Sequence, residues 1–69
     1  MHIGKTIKRI RIAKHLKQSA VAAAVGISVT AYSDIEREKS IHISIQRLEQ
    51  IAKVLNVQLT QIISEAEYF

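Results

Sequence analysis

Ser28, Ser33 and Asp34 lie close together in the chain, and a hydroxyl beside a carboxylate is where a hydrolytic site could begin. A serine nucleophile needs a base in register, and none is present. His2, His15 and His42 stand far apart, with no spacing that relates them to these residues or to one another. That separation offers no metal-ligand pattern, and a chain without cysteine has neither a thiolate site nor a disulfide framework. There is no glycine-rich phosphate loop, and 69 residues leave no room for an enclosed reaction pocket. No enzymatic activity, metal or cofactor is therefore expected. The same stretch is better suited to recognition. At helical spacing, Val29, Thr30, Ser33, Asp34 and Arg37 share an exposed face while Tyr32 and Ile35 point inward. That face offers methyl groups, hydroxyls, a carboxylate and a guanidinium. Tyr32 could be imagined stacking on a base, but its spacing to Ile35 assigns it to the core.

Such a face needs elements to hold it, and residues 18–37 supply them as two short helices joined by a tight turn at Gly26. The first segment places Ala20, Val21, Ala24 and Val25 at helical spacing, with Ala22 and Ala23 small enough for a close helix approach. Gly26 can take the left-handed conformation closed to most residues, and Ser28 is a good N-cap for the helix that follows. This is the layout of a DNA-reading helix-turn-helix.

The rest of the chain reads as three more helices. Residues 3–14 carry Ile3, Ile7 and Ile10 on one stripe. Arg11 breaks that stripe by standing where the core should be, and a guanidinium there requires a carboxylate. Glu36, at the end of the second helix of the pair, is the candidate in register, so an Arg11–Glu36 salt bridge is expected as a structural clamp. After a loop over 38–43, Ser44 can cap a fourth helix whose stripe is Ile45, Leu48, Ile51, Ala52 and Leu55. Asn56 is a plausible left-handed stop, and Leu59, Ile62 and Ile63 mark a short fifth helix over 59–64. The terminal aromatics Tyr68 and Phe69 either cover the core or meet another subunit.

Composition narrows the class further. The absence of proline and the presence of only Gly4 and Gly26 as glycines favour a helical bundle over a sheet. No apolar run approaches the ~20 residues of a membrane span or forms the core of a signal peptide, so a soluble cytoplasmic protein is expected. The net charge is +4, and all six charged residues up to Lys17 are basic while Glu65 and Glu67 close the chain. This predicts an electrically lopsided molecule whose N-terminal part faces a polyanion.

Taken together these residues resemble the phage lambda and 434 repressor/Cro family, the xenobiotic-response-element type of helix-turn-helix domain. The marks are Ile7 to Arg11, Leu16-Lys17-Gln18, Ala22, Gly26-Ile27, Tyr32, Ile35-Glu36, and Ile51 to Leu55 followed by Asn56-Val57. The resemblance runs from Ile3 to Ile63. It implies an all-α, compact five-helix bundle of the lambda repressor-like type, filling 1–69 as a single domain, that binds double-stranded DNA as a two-fold symmetric homodimer. It also implies the Arg11–Glu36 salt bridge. Base reading falls on Val29, Thr30, Ser33, Asp34 and Arg37, and phosphate binding on Gln18 at the helix N-terminus with Lys17, Ser28, Lys39 and Ser40. Thr30 and Ser33 can bond base edges, Val29 can pack on a thymine methyl, Asp34 can accept from a cytosine amine, and Arg37 can reach guanine or phosphate. Arg9 and Lys14 add a diffuse field.

Three positions depart from the family pattern. Glu38 stands where relatives commonly carry glycine, which predicts a differently built turn. His15 stands at a junction often occupied by glycine. Asp34 puts a negative charge where many relatives are neutral, so it needs a cytosine amine or Arg37 to compensate.

The expected function is a transcriptional regulator, a repressor on a palindromic operator, of the phage repressor, restriction-modification controller or antitoxin kind. Val57, Leu59, Tyr68 and Phe69 form the expected dimer interface. The alternative is a protein-interaction module on the same fold, with a partner such as a toxin, for which Asp34, Glu38, Ile41, Ile43, Tyr68 and Phe69 speak.

Overall fold

The computed structural model describes residues 2–39 and 43–68, which form α1 (Ile3–Ala13), α2 (Gln18–Val25), α3 (Val29–Glu36), α4 (Ile45–Leu55) and α5 (Leu59–Tyr68). Helices α2 and α3 have eight residues each. Isolated helices below ~12–15 residues are marginal in water, so these two depend on their caps and neighbours. The Ser28 hydroxyl accepts from the Ala31 N–H at 3.0 Å, and the Ser44 hydroxyl does the same for the Arg47 N–H at 3.1 Å, starting α3 and α4. Helix α1 has no side-chain cap of its own. Its cap comes from across the fold, where the Glu38 carboxylate accepts from the Gly4 N–H at 3.1 Å and lies 3.5 Å from His2 Nδ1. Burial raises the Glu38 carboxyl, but these partners and the Lys5 N–H outweigh it and hold the group below the ordinary carboxylate range.

Among the described residues, each of the four connections contains one residue with positive φ: His15 at 59°, Gly26 at 86°, Glu38 at 60° and Asn56 at 58°. Gly26 and Asn56 work alike. Gly26 and Ile27 both return their N–H groups to the Ala22 carbonyl, and Asn56 and Val57 return theirs to Ala52. Histidine and asparagine tolerate this region better than most residues, whereas glutamate does so at a cost of about 1–2 kcal/mol. Glu38 thus occupies the very conformation that favours glycine, contrary to the expectation of a differently built turn. Its carboxylate on α1 helps offset the strain.

Packing joins α1 to α3 and α5, α2 to α3 and α4, and α4 to α5. The centre of the core is built from Ile7, Val21, Tyr32, Ile51, Leu55 and Ile62, all fully buried. Three expectations about faces need correction. Helix α2 buries Val21 and Ala22 with Val25 half-buried, leaving Ala20, Ala23 and Ala24 exposed, because only one side of α2 meets neighbours. Ile45 is 70 % exposed; it follows the Ser44 cap immediately, and the half-buried Ile43 packs against the core before the helix begins. Helix α5 runs to Tyr68 rather than ending at 64. Ala66, one turn after Ile62, is buried against α1, and its carbonyl accepts the His2 N–H at 3.1 Å. Tyr68 itself is 82 % exposed and does not cover the core. Phe69, Ser40, Ile41 and His42 lie outside the described residues.

The expected Arg11–Glu36 clamp is present and bidentate. Arg11 Nε donates to Glu36 Oε2 at 2.6 Å and Nη2 to Oε1 at 3.1 Å, while Nη1 donates to the Leu16 carbonyl at 2.7 Å. Gln18 adds an amide donor to Glu36 Oε1 at 3.0 Å. Burial pushes the Glu36 carboxyl up, but hydrogen bonds, led by that from Arg11, prevail and hold it below its ordinary value. The buried Tyr32 hydroxyl sits beside the pair without a hydrogen bond of good geometry, and burial, with the Glu36 carboxylate next in effect, pushes its pKa well up.

This packing sets the response to substitution and to pH. A Cβ on Gly4 would collide with the Ile35 carbonyl oxygen and approach the Glu36 carbonyl oxygen to 2.7 Å. Gly4→Ala should therefore destabilise the fold by ~1–3 kcal/mol in urea titration, since backbone cannot yield as a side chain can; unchanged stability would mean that α1 and α3 are not in this contact. Because the folded-state pKa of Glu36 is depressed, its contribution is fully present above the unfolded pKa and lost as pH falls through the folded one. Stability should hold near neutrality and fall below about pH 4.5, the ordinary value of this group. Glu36→Ala should cost ~3–5 kcal/mol at pH 7 by stranding the Arg11 charge, and Arg11→Met with Glu36→Leu should recover most of that loss.

Candidate nucleic-acid interface

Helix α3 is fixed at one end by the Gly26–Ser28 turn and at the other by Glu36, so its outward face is set by both. On that face Val29 is 47 % exposed, Thr30 and Arg37 are exposed, and Ser33 and Asp34 are half-buried. All five expected recognition residues therefore share one accessible side, with Tyr32 buried and Ile35 half-buried behind them. The face is polar at its C-terminal end, where Arg37 Nη2 lies 3.2 Å from Asp34 Oδ1. Arg37 is thus the compensating cation that Asp34 needs in the free protein.

The expected phosphate-binding residues fall around this face in different states. Lys17 is exposed at the N-cap of α2, and Lys39 is exposed beyond α3. Ser28 is exposed; its oxygen accepts from Ala31, which leaves the hydroxyl proton for an outside acceptor. Gln18 is half-buried, with its amide turned onto Glu36, so α2 offers chiefly its first-turn backbone N–H groups. Ser40 lies outside the described residues.

The two ends of the chain, basic and acidic, meet in the fold. Helices α1 and α5 pack side by side, and Arg9 Nη1 lies 2.7 Å from Glu65 Oε1. Glu65 near the end of the chain is thereby paired with Arg9 near its start, while Lys5, Lys8, Lys14 and Lys17 are exposed. Gln61 and Arg9 together hold the Glu65 carboxyl below the ordinary range.

Two further residues have a part in the site: Glu38, read from the sequence as a departure at the turn, and Arg47, not singled out in the sequence. Glu38 tethers the end of α3 to the start of α1, as described above. Arg47, half-buried on α4, donates to Gln50 Oε1 at 3.2 Å and to the Val25 carbonyl at 3.4 Å, and lines an open groove beside Asp34 and Ile35. A cation in the first turn of a helix opposes the helix dipole, which was the available signal that Arg47 serves a neighbour rather than its own helix. At the α4–α5 turn, Val57 and Leu59 are half-buried against the core and line an open groove with Glu49 and Lys53. Among the described residues, no helix is long and apolar enough to cross a membrane.

Comparison with known proteins follows the same outline. A helix-turn-helix family model matches residues 7–62. The chain is similar to the ImmF control region 10 kDa protein of Bacillus phage phi105, 37% identical over 73 aligned positions that span 96% of this chain and 80% of the relative. Its fold is similar to that in the crystal structure of SinR, the master regulator for biofilm formation, in complex with DNA: TM-score 0.80 and 34% identity over 88% of this chain and 97% of that one. With a helix-turn-helix model matched over residues 7–62, a phage control protein similar in sequence and SinR similar in both sequence and shape, the chain belongs to the lambda repressor-like, xenobiotic-response-element family of DNA-binding regulators.

Proposed function

We propose that this protein is a sequence-specific transcriptional repressor that binds a palindromic operator in double-stranded DNA as a homodimer, laying α3 in the major groove. The observation that carries this reading is the single accessible face of Val29, Thr30, Ser33, Asp34 and Arg37, held by elements fixed at both ends. The similarity to SinR, whose structure contains DNA, and to a phage control-region protein supports it. In a dimer the two copies of α3 would enter successive major grooves ~34 Å apart. Backbone contacts from Lys17, Ser28, Lys39, Ser40 and the α2 N-terminus would set the register, and base edges would be read by the α3 face.

Pairing is proposed through Val57, Leu59, Tyr68 and Phe69. One module alone buries little surface on DNA, and linking two raises the effective concentration of the second. The alternative reading as a protein-interaction module loses two of its supports in the fold: Glu38 is turned onto the start of α1, and Ile43 is packed against the core.

Selection from a random duplex pool should enrich a palindrome whose binding falls steeply with salt, whereas weak binding to every sequence would overturn the proposal. On the enriched site, Thr30→Ala and Arg37→Ala should each cost ~1–3 kcal/mol, while Lys17→Ala should weaken all sequences alike and lower the salt slope by about one. Replacing Tyr68 and Phe69 by serine should shift the protein toward monomer in sedimentation. A dimer of unchanged strength would remove these residues from the interface.

A further inference from the structure

Asp34 is the one acidic side chain among the five that share the α3 face, and it is engaged with the one cation there, Arg37, at 3.2 Å and one helical turn away. The side chains of this pair are 37 % and 56 % exposed, so both ends remain accessible to a partner. An ion pair this exposed is worth little in water and opens readily. Its two ends differ in what they can do on DNA. Arg37 alone would take any phosphate, since a guanidinium matches phosphate oxygens regardless of sequence. Asp34 opposes that use in two ways, by holding the guanidinium and by placing a negative charge where a backbone phosphate would approach.

A C·G pair is the duplex feature that satisfies both groups. In the major groove it presents the cytosine amine, which donates, next to the guanine O6 and N7, which accept. A carboxylate and a guanidinium one turn apart on a helix match that donor and acceptor order. A T·A pair also has a donor, the adenine N6 amine, but it stands between the acceptors N7 and O4. The guanidinium there loses the adjacent acceptor pair that guanine offers, and a phosphate has no donor at all.

Resting on the DNA-reading function above, we propose that the Asp34–Arg37 ion pair is a selectivity filter: it withholds Arg37 from non-specific phosphate contact and releases it onto base edges only where a C·G pair takes the Asp34 carboxylate. The partner is therefore duplex DNA with C·G at the position facing the end of α3. In this view Asp34 lowers affinity for DNA in general and raises discrimination.

The test compares wild type with Asp34→Asn, which keeps size and one acceptor oxygen, exchanges the other for an amide donor and removes the charge. Both proteins are titrated with random duplex and with the duplex enriched by wild-type selection, across salt concentrations. Asp34→Asn should bind random duplex about three- to tenfold more tightly, with a salt slope steeper by about one, as Arg37 gains a phosphate. Its preference for C·G over T·A at the facing position should fall at least about fivefold. Unchanged affinity and slope on random duplex, or an equal gain on both duplexes, would overturn the filter. If the wild-type protein selects a site and the variant keeps the same discrimination, only the filter fails; if the wild-type protein selects nothing, the DNA-reading function fails with it.

Discussion

Arg11 carries its charge into a core of aliphatic side chains, where desolvating an ion costs several kcal/mol, and its surroundings are arranged to offset that cost. Glu36 meets it with two hydrogen bonds and the Leu16 carbonyl with a third, while Gln18 supplies a further donor to the same carboxylate. These four residues come from α1, the α1–α2 joint, the start of α2 and the end of α3. A buried ion pair is weak evidence for stability, because apolar groups of similar volume can often replace it. Its contribution here is geometric. An aliphatic contact tolerates a small slide of one helix on another, whereas a bidentate pair with added hydrogen bonds is satisfied in one register only. Since Glu36 is the last residue of α3, that register fixes the rotation of the face that carries Val29, Thr30 and Ser33. A helix of eight residues cannot hold such a rotation by its own propensity.

Much of this fold was legible from the chain because its punctuation is chemical. Gly26 and Asn56 mark left-handed stops, Ser28 and Ser44 mark starts, and an arginine in an isoleucine stripe demands a carboxylate. Those signals are local, and they held. What the chain did not reveal depends on contacts distant in sequence. Alanine is small enough for either face of a helix, so periodicity could not separate the buried Ala22 from the exposed Ala20, Ala23 and Ala24. The length of α5 depends on Ala66 packing beneath α1 and accepting from His2, a pairing of opposite ends of the chain. The recognition face was legible as a set of positions, but the state of each side chain was not. That Gln18 turns inward and Arg37 rests on Asp34 follows from which neighbours the fold brings near.

Charge illustrates the same limit and its functional consequence. Along the chain the bases cluster first and the acids last, which suggests a dipole across the molecule. In the fold α5 lies on α1, and the Arg9–Glu65 pair joins the two ends. Lys5, Lys8, Lys14 and Lys17 remain exposed on the N-terminal part, and Lys39 is exposed beyond α3. Local charge acts over a Debye length of ~8 Å at physiological salt, about the depth of the first phosphate contacts, and so favours docking over distant steering.

The joints complete the argument. Among the described residues, each connection turns on one left-handed residue, and of these four only Gly26 is free of the associated strain. Nothing lies within 4 Å of a Cβ built on Gly26, so conformation alone requires glycine there. Gly4 is the opposite case, an ordinary helical position where Ile35 and Glu36 leave no space for a side chain. Glu38 then sits against Gly4, accepting the strained conformation while its carboxylate closes the open end of α1. The end of α3 is therefore held twice, by Glu36 through Arg11 and by Glu38 through Gly4, with Arg37 between them. The backbone beneath Arg37 has little freedom, and what its guanidinium meets is decided by side-chain rotation and by Asp34.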